Sequence, residues 1–285
     1  MTTNLHCHPL HRLILVFFMH FSLALGANGA QAAESYTFAV VPQFEQRKLF
    51  AIWKPIIDEL SQRTGLNIVL STTLSIPAFE QELDKGSHDF VYTNPYHLLK
   101  AHDSQGYLPL VRDAAPLRGI LVVKKDSSLR SPSELNGKEL AIPSPNALGA
   151  SLLLRADLEN LYKARVKMMN VRTHSAVYIN VLTGVVEAGG GVEKTLQEQS
   201  PNVQEGLKVL YTTREMPSHP IAAHPRVPAQ VREQVRKALL DISASPSGAA
   251  LLSSVPITKA VATSIADYSI MKSWGLEKYW VSENK

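Results

Sequence analysis

The residues whose types and spacing could do chemistry fall in four short stretches. Pro143-Ser144-Pro145-Asn146-Ala147-Leu148-Gly149 lies between the β-prone Glu139-Leu140-Ala141-Ile142 and an apolar-periodic run reaching Leu161, so it reads as strand, tight turn, helix. The turn brings a hydroxyl at Ser144, an amide at Asn146 and the Ala147 and Leu148 backbone N–H groups to a helix start, where such groups lack acceptors and attract anions. Ser, Pro, Asn and Gly are also common turn residues, and the stretch reads as well as an ordinary connection capped by Asn146.

Thr173-His174-Ser175 opens a second helix, with Tyr178 one turn beyond His174 on the same face. His174 is either a capping-region residue or a donor to an anion, which would favour its protonated ring. Tyr178 is either its companion in a site or a core residue. Glu187, just before Gly189-Gly190-Gly191, is either a partner for an amine or protonated oxygen or a solvated acid at a strand end. In the N-terminal half, Gln43 and Arg47 follow the first strand, and a guanidinium there can grip an oxyanion with two parallel hydrogen bonds or simply face solvent. Tyr92, Asn94, Tyr96 and His97 surround Pro95 in an aromatic turn that either closes over a ligand or packs.

Other chemistries find no support. The sequence has no Gly-x-Ser-x-Gly elbow, no His-Glu-x-x-His, and no Gly-Lys-Ser/Thr after the triple glycine, and its single cysteine is Cys7. No metal, no cofactor and no enzymatic turnover are expected.

The elements that must position these residues alternate. Tyr36–Val41 reads as a strand, followed by a helix on which Leu49, Trp53, Ile56 and Leu60 recur at spacings of three and four, with Pro55 marking a kink or restart. Asn67–Ser71, His88–Tyr92, Leu108–Val111, Gly119–Val123, Lys167–Val171 and Val209–Thr212 read as further strands. Ser131-Pro132-Ser133-Glu134 is a capping signature, and Val185–Ala188 reads as a short strand running into the glycines. Helices are expected from about Ala176 to Leu182, after Val227, and from Ile265 to Val281. Strands alternating with helices imply βαβ units and mainly parallel sheets.

Arg12, the apolar run Leu13–Gly26 and Ala30-Gln31-Ala32 have the form of a secretory signal peptide, placing the start of the mature chain near Ala33 and the protein in the periplasm. Its removal takes one of 29 Lys+Arg and none of 25 Asp+Glu, leaving 28 against 25, too small and scattered an excess for nucleic acid.

Val41-Pro42-Gln43-Phe44 before a helix with Trp53-Lys54-Pro55, then Tyr92-Thr93-Asn94-Pro95-Tyr96, Ser144-Pro145-Asn146, and Thr173-His174-Ser175 ahead of Glu187-Ala188-Gly189-Gly190-Gly191, together resemble the phosphate/phosphite/phosphonate periplasmic binding proteins of ABC transporters. The resemblance spans essentially the whole mature chain in order. It implies a two-lobed type II (flytrap) α/β fold, each lobe a mainly parallel sheet flanked by helices. Residues 33–115 and 219–285 would form lobe 1 and residues 116–218 lobe 2, after a signal peptide at 1–32. It implies a cage for phosphate, phosphite, a phosphonate or a related oxyanion. Ser144, Asn146, Ala147, His174, Tyr178 and Glu187 would come from one lobe and Gln43, Arg47, Asn94 and Tyr96 from the other. The implied partners are this small anion and an ABC transporter permease, or in the alternative a membrane sensor protein, with the chain monomeric. The family's Ser-Thr-Ser-Gly type of turn keeps one hydroxyl here, gains an amide at Asn146 and loses an N–H at Pro145.

Overall fold

Two small mixed sheets, each flanked by helices, organise the chain in a computed structural model that describes residues 1–2, 34–255 and 257–282. Contacts separate Met1–Ala33 from Glu34–Lys285, and both sheets belong to the second unit. The signal-peptide assignment lies almost wholly outside the described residues.

The first lobe begins β1 (Ser35–Val40), α1 (Gln46–Thr64), β2 (Asn67–Thr72), α2 (Ile76–Asp84), β3 (Phe90–Tyr92), α3 (Pro95–Gln105), β4 (Leu108–Asp113). The chain then passes to a second sheet through β5 (Gly119–Lys124), β6 (Glu139–Ile142), α4 (Leu153–Tyr162), β7 (Lys167–Asn170), α5 (His174–Leu182), β8 (Ala188–Val192), α6 (Glu193–Gln197), α7 (Pro201–Gly206) and β9 (Leu207–Thr212). It returns with β10 (Pro220–Ala223), α8 (Ala229–Ala244), α9 (Pro246–Leu252), β11 (Ala260–Ala262) and α10 (Ile265–Ser269). Strand orders are β11-β4-β10-β3-β1-β2 and β7-β6-β8-β5-β9.

Parallel pairing is confined to the βαβ units, β1 with β2 and β3, and β6 with β7 and β8. The strands flanking the passages between lobes pair antiparallel, β10 with β3 and β4, and β5 with β8 and β9. A strand that arrives from the other lobe need not follow the right-handed crossover that forces parallel pairing.

Periodicity fixes α1 as expected, with Leu49, Trp53, Ile56, Ile57 and Leu60 buried on one face. Pro55 does not interrupt it. Pro55 and Ala51 are exposed, so the Ala51 carbonyl that loses an N–H partner faces the solvent side. The Ser131 capping box forms, but over a single 3₁₀ turn, Pro132–Leu135. The expected helix over 265–281 is likewise broken into α10 and two 3₁₀ turns.

The triple glycine departs most from expectation. It forms the strand β8 itself, not the loop after one. A Cβ at Gly190 would overlap the Ala150 carbonyl oxygen, and one at Gly191 would overlap the Tyr178 hydroxyl. Glycine here lets helices on both faces lie directly on the sheet. Those faces are apolar and alternate along β5: Ile120 and Val122 pack with Val177, Tyr178 and Val181, while Leu121 and Val123 pack with Leu154 and Leu158.

The N-terminal turn of the α4 helix contributes elsewhere. Leu148, Leu152, Leu153 and Ala156 join the first lobe's core cluster, so an apolar ridge of the second lobe is buried against the first.

Candidate functional site

Residues 148–162 form one continuous helix whose first turn, Leu148–Leu152, is π-helical. The first carbonyl used within it is that of Ala147, which accepts from Ser151 at 2.8 Å and Leu152 at 3.1 Å. Leu148, Gly149 and Ala150, whose N–H groups precede those bonds, line a cavity of about 20 Å³. The second lobe lines it further with Ala147, His174 and Val192, the first lobe with Val41, Gln43, Ile76 and Asn94, and the returning connection with His219. This space is roughly that of a single water.

Each polar side chain around the cavity is held. Asn94 caps α3, its Oδ1 accepting from the Tyr96 and His97 N–H groups at 2.9 Å each, which leaves its Nδ2 as donor. Gln43 Nε2 donates to His219 Nε2 at 3.3 Å. His219 stacks on Tyr92 at 5.4 Å, and Tyr92 packs on Trp53 at 4.7 Å, so the ring is fixed from the first lobe's core. His174 follows Thr173, whose Oγ1 caps α5 by accepting from Ala176 N–H at 3.1 Å. Its Nδ1 lies 3.3 Å from Thr195 Oγ1. With Thr195 donating to the Val192 carbonyl at 2.9 Å, Thr195 accepts from His174 Nδ1–H, and Nε2 of the neutral ring is free of its proton. Tyr178 completes this support, its hydroxyl 2.7 Å from Thr195 Oγ1.

Burial decides the charge state. It pushes His174 down to about 4. His219 falls to about 3, through burial first and the nearby His174, His97 and Lys194 second. Both rings are neutral at pH 7. The charged groups near the cavity are already paired. Lys194 of α6 bonds the buried Asp113 at the end of β4. Burial would raise the Asp113 carboxyl, yet Lys194 together with the Lys259 N–H and Thr258 holds it below the usual range.

Gln43 also borders two outer chambers of about 160 and 110 Å³ that share Lys194, Thr195 and Gln197. Gln43 is thus common to all three spaces.

The family described as "ABC transporter, phosphonate, periplasmic substrate-binding protein" matches residues 38–268. The chain belongs to this family. Among solved structures, the binding protein component of an ABC phosphonate transporter from Pseudomonas aeruginosa aligns with a TM-score of 0.75 at 16% identity, covering 86% of this chain and 87% of that one. PhnD1 from Prochlorococcus marinus, in complex with methylphosphonate, aligns with a TM-score of 0.79 at 14% identity, covering 87% and 100%. A Xanthomonas citri protein bound to ATP aligns with a TM-score of 0.70 at 14% identity, covering 86% and 98%. The shared property is the two-lobed fold of periplasmic binding proteins.

Within this phosphonate-family protein the expected site residues divide. Gln43, Asn94, Ala147 and His174 meet at the cavity. Tyr178 is buried behind His174. Ser144 is buried in the turn, its Oγ accepting from Asn146 N–H at 3.3 Å, and does not line the cavity. Asn146 is committed elsewhere, to Glu80 Oε2 at 2.8 Å and to the Val281 backbone at 2.9 Å.

Three more of the expected residues lie away from the cavity. Arg47 is exposed on α1. It sits two residues before the buried Leu49, about 200° round the helix and so on the opposite face. Tyr96 turns to the C-terminal segment, its hydroxyl donating to Glu277 at 3.1 Å. Glu187 is exposed and pairs with Lys138 at 3.2 Å, beside an open groove of about 500 Å³. The cavity is at the Val192 end of β8, five residues and so about 17 Å away.

His219 was missed. Pro217-Ser218-His219-Pro220 reads only as a polar connection, and the usable signal was its place in the return between sheets.

Proposed function

We propose that this chain captures a small oxyanion at the Leu148–Ala150 helix end, between lobes formed by residues 34–115 with 219–282 and by 116–218, and delivers it to an ABC importer's membrane permease without chemical turnover. What carries the reading is a helix start, Leu148–Ala150, that lines one cavity with His174, Gln43, Asn94 and His219. Residues 1–32 act as the cleaved export signal. The Prochlorococcus relative's methylphosphonate makes phosphonates the first candidates, with phosphate and phosphite beside them.

The cavity is too small for a tetrahedral anion, so the lobes part to admit the ligand and reclose with Gln43 moved toward the outer chambers. Ligand contacts with both lobes then favour the closed state. Against the neutral histidines an arriving anion favours protonated rings, and capture takes up a proton at pH 7. Calorimetry with methylphosphonate, phosphate and phosphite, in buffers of different ionisation enthalpy, tests this. Submillimolar binding with proton uptake is expected; no binding below millimolar for any of the three would sink the reading.

A further inference from the structure

The segment after α10 touches both lobes without reaching the cavity. Leu276 is buried in the first lobe's core cluster. Glu277 accepts from the Tyr96 hydroxyl at 3.1 Å and from Lys100 at 2.9 Å, and the Trp280 ring packs on Tyr96 and His97 with centroids 5.8 and 5.6 Å apart. All of these partners lie on α3.

The same few residues hold the second lobe. Lys278 and the Tyr279 hydroxyl bond Glu159 of α4 at 3.0 and 2.9 Å. The Tyr279 carbonyl accepts from Arg155 at 2.7 Å, and the same Arg155 nitrogen donates to the Pro145 carbonyl at 2.6 Å. At Val281 the backbone N–H donates to Asn146 Oδ1 and the carbonyl accepts from Asn146 Nδ2, each at 2.9 Å. The Asn146 amide is paired as a neighbouring strand would be.

These bonds converge on the turn that leads into the anion-facing helix end. Pro145 has no N–H, and the turn's own bonds are two, Asn146 N–H to Ser144 Oγ and Ala147 N–H to the Ser144 carbonyl. The remaining grip comes from outside: Arg155 on Pro145, and Val281 with Glu80 on Asn146.

We propose that residues 277–281 are a clasp: they position the Ser144–Ala147 turn, and so the Leu148–Ala150 N–H groups, and hold the second lobe closed on the first. Anchored on α3 through Trp280 and Glu277, the clasp loses its α4 and Asn146 bonds whenever the lobes part, and therefore biases the closed state. It makes Asn146 a positioning residue, acting on the ligand only through the turn. The positioning half of this inference rests on the anion-capture reading; the closure half does not.

Two variants test it, a chain ending after Leu276 and the point variant Asn146→Ala, with Lys272→Ala as control because Lys272 bonds Asp103 at 2.8 Å within the first lobe. Small-angle scattering without added anion reads closure, and calorimetry with methylphosphonate and with inorganic phosphate reads the site well below the melting temperature. Both variants are expected to show a larger radius of gyration and at least tenfold weaker binding. Both changes remove the Asn146–Val281 pair, so the double variant should lose less affinity than the two single losses combined, and the control should match the parent. If the parent binds neither anion, the functional reading falls and the clasp stands or falls on the radius of gyration. An unchanged radius in both variants overturns it, as does unchanged affinity in a parent that binds; a lowered melting temperature alone would mark the segment as merely structural.

Discussion

The two ends of β8 face opposite environments. At Val192 the strand ends at a small cavity of about 20 Å³ with neutral, buried histidines and a helix N-terminus. Beyond Ala188, at Glu187, it reaches a solvent groove of about 500 Å³ rimmed by Lys124, Asp126, Lys138 and Glu187. Charge and volume sit at the second end. Yet solvated ions beside open water bind weakly, whereas backbone N–H groups screened from water act at low dielectric. The smaller space is the better candidate because its donors are held in place before any ligand arrives.

The largest expected effect breaks the scaffold between the two ends. Gly190→Ala puts a Cβ onto the Ala150 carbonyl oxygen, backbone that cannot move aside without shifting the π turn. It should cost more than about 4 kcal/mol in chemical denaturation, or prevent folding. An exposed change at the groove end, Val185→Ala, should stay within about 0.5 kcal/mol.

Acid should separate the ends next. His174 and His219 have folded values of about 4 and about 3, below the usual 6.5. The unfolded chain therefore binds protons that the folded chain refuses. Their stabilising contribution is complete above about pH 6.5 and declines as pH falls, by about 1.4 kcal/mol per unit for each ring. Denaturation midpoints should drop between pH 7 and 5, and His219→Gln should remove about 2 kcal/mol of that drop. An equal pH dependence in the variant would show that the ring is not buried neutral.

Ligand affinity gives smaller effects. His174→Ala should weaken methylphosphonate binding at least tenfold, about 1.4 kcal/mol. Glu187→Ala and Arg47→Ala should leave it within about twofold, less than about 0.5 kcal/mol. A tenfold loss in either would return a charge from the rim to the site.

Local signals were legible in the sequence. The α1 stripe, the Thr173 cap and the order of the segments all follow from spacing within a few residues, whereas the Asn94 cap and the helix α3 behind it read only as a turn. The same stripe, followed round the helix, puts Arg47 on the exposed face. What stayed hidden depends on distant partners. Asn146 looks like a ligand amide until Val281, 135 residues on, is seen to take both of its polar atoms. Gly189–Gly191 look like a loop because the helices that make a side chain there impossible lie elsewhere in the sequence. A strand read at Val185–Ala188 puts Glu187 near its C-terminal end, whereas β8 at Ala188–Val192 puts it just before the N-terminal one. His219 needed the sheet order, since only the return through β10 brings it against Gln43.

The most direct test of anion capture at this helix end is amide NMR during titration with methylphosphonate. The Leu148, Gly149 and Ala150 N–H resonances should shift downfield and saturate together, with Lys138 and Glu187 unmoved. Saturating shifts at Lys138 and Glu187 with Leu148–Ala150 unchanged would contradict it.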